Sequence, residues 1–223
     1  MFIKYIIMKR VAIVGGGIIG LATALKIQMK NKDIKVVLFE KEKQIGLHQS
    51  GRNSGVLHCG LYYEPGSLKS KLAVSGIRQM TKFCKDYQIP HDICGKVVVA
   101  VDDIQELSLN NLAKRGDLNG LKGLKYLSAN ELKKREPYVR AKKSLLVPEE
   151  GIVDYKTVML KFSEIIEQNK GEILLNSKIK KVINFRDEII LQVNEKEFSF
   201  DFLINCTGLH SDRNFKNFTK KKR

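Results

Sequence analysis

The 223-residue chain contains no CxxC pair. Its four cysteines, Cys59, Cys84, Cys94 and Cys206, show no zinc-ligand spacing with its four histidines. A structural zinc site and a dithiol redox motif therefore lack their signatures. Buried, reduced thiols in a cytoplasmic protein are expected instead, with no metal site. No run approaches the roughly 20 apolar residues of a membrane span. Met1–Met8 is apolar but short and runs at once into a strand pattern, so a cleaved signal peptide of ordinary design is not expected, and Met8 is an alternative start. There is no internal repeat. Acidic residues are scarce, 24 against 40 Lys and Arg, which leaves a formal charge of +16. The surplus is mostly lysine scattered through helices and loops, without the interleaved arginine and aromatic residues of a nucleic-acid patch. Solvated faces account for it, with attraction to an anionic membrane surface as the remaining reading.

What is present is a 43% hydrophobic content, enough for a real core, and an ordered series of patterns. Arg10–Val14 reads as a strand, Ile18–Lys30 as a helix and Ile34–Phe39 as a second strand. Leu21, Ala24, Leu25 and Gln28–Met29 supply the helix's apolar face. Lys41–Tyr63 is a long glycine-containing loop, and a loop of that length is usually functional. Ser67–Tyr87 reads as a helix with Ala73, Ile77, Met80, Cys84 and Tyr87 on one face. A strand follows at Lys96–Val101, then a helix capped by Asp102 that ends near Leu118. Ser128 and Glu131 form a capping box ahead of Pro137. The stretch from 90 to 150 reads as an insertion. Asp154 opens a helix ending near Gly171. Strands are expected near Glu172–Leu175, Ile179–Phe185, Ile189–Val193, Phe198–Phe200 and Phe202–Asn205. After Leu209 the pattern fades, and Phe218–Arg223 reads as a frayed basic tail.

The run Val11–Gly20 carries the chemistry. Gly15 permits a tight turn, Gly17 lets backbone approach a pyrophosphate, and Gly20 lets the helix pack on the strand. Ile18 and Ile19 open the helix, whose N-terminus offers amides and positive potential to phosphates. Glu40, ending the second strand, stands where a ribose ligand is expected. The loop between Gly46 and Tyr63 adds His48, Ser50, Arg52, Ser54, Gly55, Val56 and His58. Hydroxyls and a planar cation there suit phosphate or carboxylate, and His58 suits proton acceptance beside a redox ring. The same loop reads equally as a glycine-rich surface segment with incidental polar residues.

Several segments resemble the FAD-dependent oxidoreductases of the D-amino-acid oxidase superfamily, and within it the L-2-hydroxyglutarate oxidase/dehydrogenase family. They are Val14–Gly20, His48–Lys69, Cys94–Lys96, Arg135–Pro137, Gly151–Tyr155 and Cys206–Leu209. The resemblance implies an α/β fold, a Rossmann-like FAD-binding domain with part of an α+β substrate domain. Its expected division is 9–90 with 150–213 for FAD, 91–149 for substrate and 214–223 as a tail. It implies FAD on Gly15, Gly17, Gly20 and Glu40, with Lys41 after the acid, Ser50, Arg52, Ser54 and Gly55 along the pyrophosphate, Ile179 at the adenine and Thr207–Gly208 closing the site. His58 is implied near the flavin. The implied reaction takes L-2-hydroxyglutarate, a small-molecule 2-hydroxy acid, to 2-oxoglutarate, with quinone or oxygen as acceptor and a peripheral contact at the inner membrane face. Family members are about twice as long, so the chain is expected to be an N-terminal fragment that is inactive alone. Another 2-hydroxy-acid or amine oxidase of the superfamily, and a non-catalytic dinucleotide-binding remnant, remain alternatives.

Overall fold

The computed structural model describes residues 9–216 and 218–220. In chain order the elements are β1 (Arg10–Val14), α1 (Ile18–Lys30), β2 (Lys35–Phe39), β3 (Val56–Leu57), α2 (Leu68–Asp86), β4 (His91–Asp92), β5 (Lys96–Ala100) and α3 (Asp103–Leu118). Next come β6 (Lys125–Leu127), α4 (Ala129–Arg135), β7 (Lys143–Val147), β8 (Gly151–Val153), α5 (Tyr155–Gln168) and β9 (Glu172–Leu174). The last are β10 (Ile179–Asn184), β11 (Ile189–Val193), β12 (Lys196–Phe200), β13 (Phe202–Asn205), α6 (Ser211–Lys216) and β14 (Phe218–Lys220).

Two compact units result. One comprises Met1–Asn53 with Tyr155–Arg223, the other Ser54–Asp154. In the first, β1 and β2 are apolar almost throughout, as strands covered on both faces must be. They sit inside a parallel sheet ordered β13-β1-β2-β9. Period-two alternation sends Ala12, Val37 and Phe39 to one face, where they pack on Val182, Leu191, Val193 and Phe200. Those four come from a second sheet ordered β12-β11-β10-β14. Phe39 meets Phe198 and Phe200 edge-on at centroid distances of 5.4 and 5.8 Å. The alternate residues Val11, Ile13, Val36 and Leu38 are also buried. α1 lies against β1, β2 and α5, burying Leu21, Ala24, Leu25 and Gln28. Met29 is 64% exposed, so the apolar stripe of α1 ends one residue short of its expected width.

The second unit is antiparallel. β5-β7-β6 carries α3 over Ala100, Leu109, Ala113 and Leu145, and β3-β8-β4 forms a smaller sheet. It begins at Ser54, because Val56 is registered on Ile152 and β8 on β4, which ties the loop after Asn53 to the middle of the chain. The buried face of α2 is Ser70, Val74, Ile77 and Cys84; Tyr87, past its end, is exposed.

Two end signals resolve differently from expectation. The left-handed residue after α5 is Lys170, at φ +62°, not Gly171. Residues 211–220 are not a patternless tail: α6 forms, and β14 pairs parallel with β10, Val182 opposite Phe218. Residues 221–223 of the expected basic tail lie outside the described residues. Among the described residues, no helix is long and apolar enough to cross a membrane, and no cluster of three or more His, Cys, Asp or Glu could hold a metal.

The α4 capping box is fully formed, Ser128 Oγ accepting the Glu131 amide and Glu131 accepting the Ser128 amide at 2.8 Å. The hydrogen bond from Lys125 and then those from Ser128 lower the Glu131 pKa from 4.5 to about 2. A carboxyl depressed on folding stabilises fully above its unfolded pKa and loses that contribution as pH falls through the folded one. The first turn of α4 is expected to loosen between about pH 4.5 and 2. Amide exchange at Glu131 and Leu132 checks this: protection unchanged down to pH 2 contradicts it.

Candidate dinucleotide site

The first unit contains a cavity of about 670 Å³ at the C-terminal ends of β1, β2 and β13. Open parallel sheets place ligands at that end of their strands. Gly15, Gly17 and Ile19 line it from the β1–α1 turn, Glu40 and Lys41 from the end of β2, and His48, Ser50 and Arg52 from the following loop. Ile179, Thr207 and Gly208 also line it.

The glycine turn is dictated by sterics. Gly15 has φ +112°, in the region that disfavours side chains, and a Cβ there would overlap the Cys206 carbonyl. A Cβ on Gly20 would overlap the Gly15 carbonyl, so α1 starts this close to β1 only with glycine in place. Val14 and Cys206 are joined by a backbone bond of 2.8 Å, which fixes the turn against the end of β13.

The electrostatics favour an anion. α1 has no acidic residue in its first turn, and its N-cap, Gly17, offers no side-chain acceptor. Ser50 Oγ accepts the Ile18 amide at 2.9 Å, placing a hydroxyl at the positive helix end. Arg52, Lys178 and Arg213 also line the cavity. Glu40 is 7% exposed, and its two carboxylate oxygens accept the Gly16 amide at 2.6 Å and the Glu42 amide at 2.9 Å. A carboxylate has about four acceptor positions, so capacity remains for a diol. Nearby, Glu42 accepts from Lys41 and pairs with His48 Nε2 at 3.0 Å; the Lys41 ammonium first, and His48 second, hold its carboxyl below the ordinary range. Thr207 is fixed by Asn205, whose Oδ1 accepts from both its amide and its hydroxyl, at 3.2 and 2.6 Å.

Not every expected residue lines this cavity. Ile18 and Gly20 shape the turn without lining it. Ser54, Gly55, Val56 and His58 belong to the other compact unit, where the Gly55 carbonyl accepts the Val153 amide and Val56 pairs in β3. Sequence reasoning missed Ser177, Lys178, His210 and Arg213. They follow β9 and β13, where a polar or basic residue beside a strand end looks like any other turn.

In the second unit, His58 Nδ1 lies 3.6 Å from Glu150 Oε2, and Lys96 Nζ lies 2.6 Å from the same oxygen. Lys96 also stands over the Tyr62 ring, 4.7 Å from its centroid. The buried Cys59 thiol donates to Glu150 Oε1 at 3.3 Å. Burial first, and the neighbouring carboxylate second, push the Cys59 pKa up to about 12, so this thiol is inert rather than nucleophilic.

Residues 10–222 match the DAO family, described as FAD dependent oxidoreductase. The chain is 46% identical over 204 residues to an L-2-hydroxyglutarate dehydrogenase of Indibacter alkaliphilus, covering 92% of this chain and 51% of that protein. It is 36% identical over 202 residues to an L-2-hydroxyglutarate dehydrogenase of Escherichia coli, covering 90% and 48%. An FAD-bound L-α-glycerophosphate oxidase from Mycoplasma pneumoniae superposes with a TM-score of 0.81 at 25% identity, covering 95% of this chain and 57% of that one. The chain thus spans about half the length of the curated relatives it matches. With the glycine turn, the acid ending β2 and the match over residues 10–222 in agreement, the chain belongs to the FAD dependent oxidoreductase family.

Proposed function

We propose that the chain contributes the FAD-binding part of an enzyme that oxidises the C2 alcohol of L-2-hydroxyglutarate to 2-oxoglutarate. The observation that carries the reading is the cavity where Gly15, Gly17, Glu40, Ser50 and Thr207 converge, in a chain 46% identical to a protein named for that substrate. The residues present fit FAD. The α1 N-terminus, the Ser50 hydroxyl and Arg52 would hold the pyrophosphate, spare acceptor capacity on Glu40 would hold the ribose diol, and Ile179 would lie against the adenine. When bound, the flavin supplies two-electron acceptance from a carbon–hydrogen bond. In this reading Ser54, Gly55 and Val56 continue the flavin loop, and His58 takes the hydroxyl proton as C2 loses its hydride. Excess positive charge draws in a dianionic substrate and favours a peripheral membrane contact, with quinone or oxygen as the final acceptor.

A second reading, another hydroxy-acid or amine oxidase, draws on the 25% identity to an oxidase acting on L-α-glycerophosphate. One experiment separates them. The chain is purified, loaded with FAD and fused to the part of the Indibacter relative that it does not cover. L-2-hydroxyglutarate, D-2-hydroxyglutarate, glycerol 3-phosphate, glycine and sarcosine are then offered without oxygen. Bleaching of the flavin absorbance by L-2-hydroxyglutarate at least a hundredfold faster than by the others is expected. Preferential bleaching by any other compound replaces the substrate assignment, and a protein that never retains flavin overturns the whole reading.

A further inference from the structure

Glu150 is the most heavily buried charged side chain among the described residues, at 2% exposure. It lies between β7 and β8, its carbonyl accepting the Gly95 amide at 2.8 Å. Neighbouring strands bring its partners. Leu57, registered opposite Gly151, delivers His58, and Lys96 is the first residue of β5. A buried carboxylate is costly unless its surroundings use its charge. Oε1 is taken by the Cys59 thiol. Oε2 has no aligned hydrogen bond, although Lys96 Nζ at 2.6 Å and His58 Nδ1 at 3.6 Å both approach it. The His58 side chain is 62% exposed, so one edge of the ring faces a buried anion and most of the rest faces solvent.

We propose that Glu150 is a positioning residue for His58: it holds the proton on Nδ1, keeps Nε2 as the free base, and supplies the counter-charge to the imidazolium formed when Nε2 takes a proton. An ionised carboxylate only accepts hydrogen bonds, so it favours hydrogen on the ring nitrogen that approaches it. The partner of one ring nitrogen sets the tautomer and leaves the other for chemistry. A base oriented by a third, anionic group is the logic of the hydrolytic triads. Lys96 shares the oxygen and keeps the buried carboxylate paired until His58 is protonated; the Cys59 thiol stays neutral throughout. The proposal rests on the reading of His58 as proton acceptor.

The test uses the 223-residue chain, labelled with ¹⁵N at histidine, without flavin or substrate. Ring ¹⁵N shifts at neutral pH are expected to show His58 mainly as the Nδ1–H tautomer. Glu150→Leu removes the acceptor that faces Nδ1, and the ring is expected to lose its Nδ1–H preference and become mainly Nε2–H. A mainly Nε2–H ring in the unaltered chain overturns the proposal without any variant, and so does an Nδ1–H preference that persists in Glu150→Leu. In the fusion protein, Glu150→Leu is expected to lower kcat about tenfold or more, as loss of an orienting partner does, with KM within about twofold. A change confined to KM contradicts the proposal. If no substrate reduces the flavin, the functional reading fails, while the tautomer still decides whether Glu150 orients His58.

Discussion

Gly20→Val is expected to abolish FAD retention. The added Cβ would overlap the Gly15 carbonyl, which is backbone and cannot rotate away. α1 would have to withdraw from β1, carrying with it the Ile18 amide and the Ser50 hydroxyl that accepts it. Gly15 sits at φ +112° beneath the Cys206 carbonyl, so the turn has no relaxed alternative that keeps β1 beside β13. Overpacking of this kind costs about 1–3 kcal/mol in stability. The loss in binding is larger, because every phosphate donor at the helix end moves together. A drop in FAD affinity of at least about a hundredfold, some 2.7 kcal/mol, is expected, measured by quenching of flavin fluorescence. Gly66→Ala, where a Cβ meets nothing within 4 Å, is the control for general damage to a glycine at positive φ. Equal losses in the two variants would remove the argument from close approach.

Lys96→Met is expected to destabilise the second unit far more than a half-exposed lysine ordinarily does. Surface ion pairs contribute about 0–1 kcal/mol. Here the partner is 2% exposed, and removing the ammonium leaves a buried carboxylate with only a thiol and an imidazole nitrogen at 3.6 Å. Stranding such a charge costs about 3–5 kcal/mol, on the order of 10 °C in Tm for a chain of this length. The asymmetry is the test. Glu150→Leu frees a lysine whose side chain is already 27% exposed and reaches water, so a cost of roughly 1 kcal/mol or less is expected. The double variant Lys96→Met, Glu150→Leu is expected to recover most of the single loss. Thermal melts of all three decide it; additive effects would mean that the pair is uncoupled.

Local chemistry was legible where one physical rule dominates. The bounds of β1 and α1 follow from a fully buried apolar strand and a glycine turn, and both caps, Asp102 and Ser128, follow from side chains that satisfy free amides. The loop Lys41–Tyr63 stood out because compact folds rarely carry so long an irregular segment without a use for it. Glu150 was not legible. Pro148-Glu149-Glu150-Gly151 reads as a solvated turn, and only the pairing of β3 with β8 and of β5 with β7 puts the second glutamate inside while the first pairs with Arg78 near the surface. Similarly, β14 shows no alternation; its place follows from β10 having a free edge to pair with. β3, which opens the second compact unit, is only two residues long, too short for any periodicity to reveal.

The parallel sheet that carries the glycine turn is closed by segments far apart in the chain. The Arg10 amide donates to the Asp201 carboxylate at 2.6 Å across a separation of 191 residues, and β13 alone flanks β1 on that side. During synthesis β1 and β2 emerge first but wait for Phe202–Asn205, whereas every strand pair of the Ser54–Asp154 unit is available long before. Bringing distant segments together carries a loop-closure entropy that local pairs avoid, and slows folding accordingly. The cavity thus cannot form until β13 has been made, and the apolar edge of β1 is the surface exposed to misassociation until then.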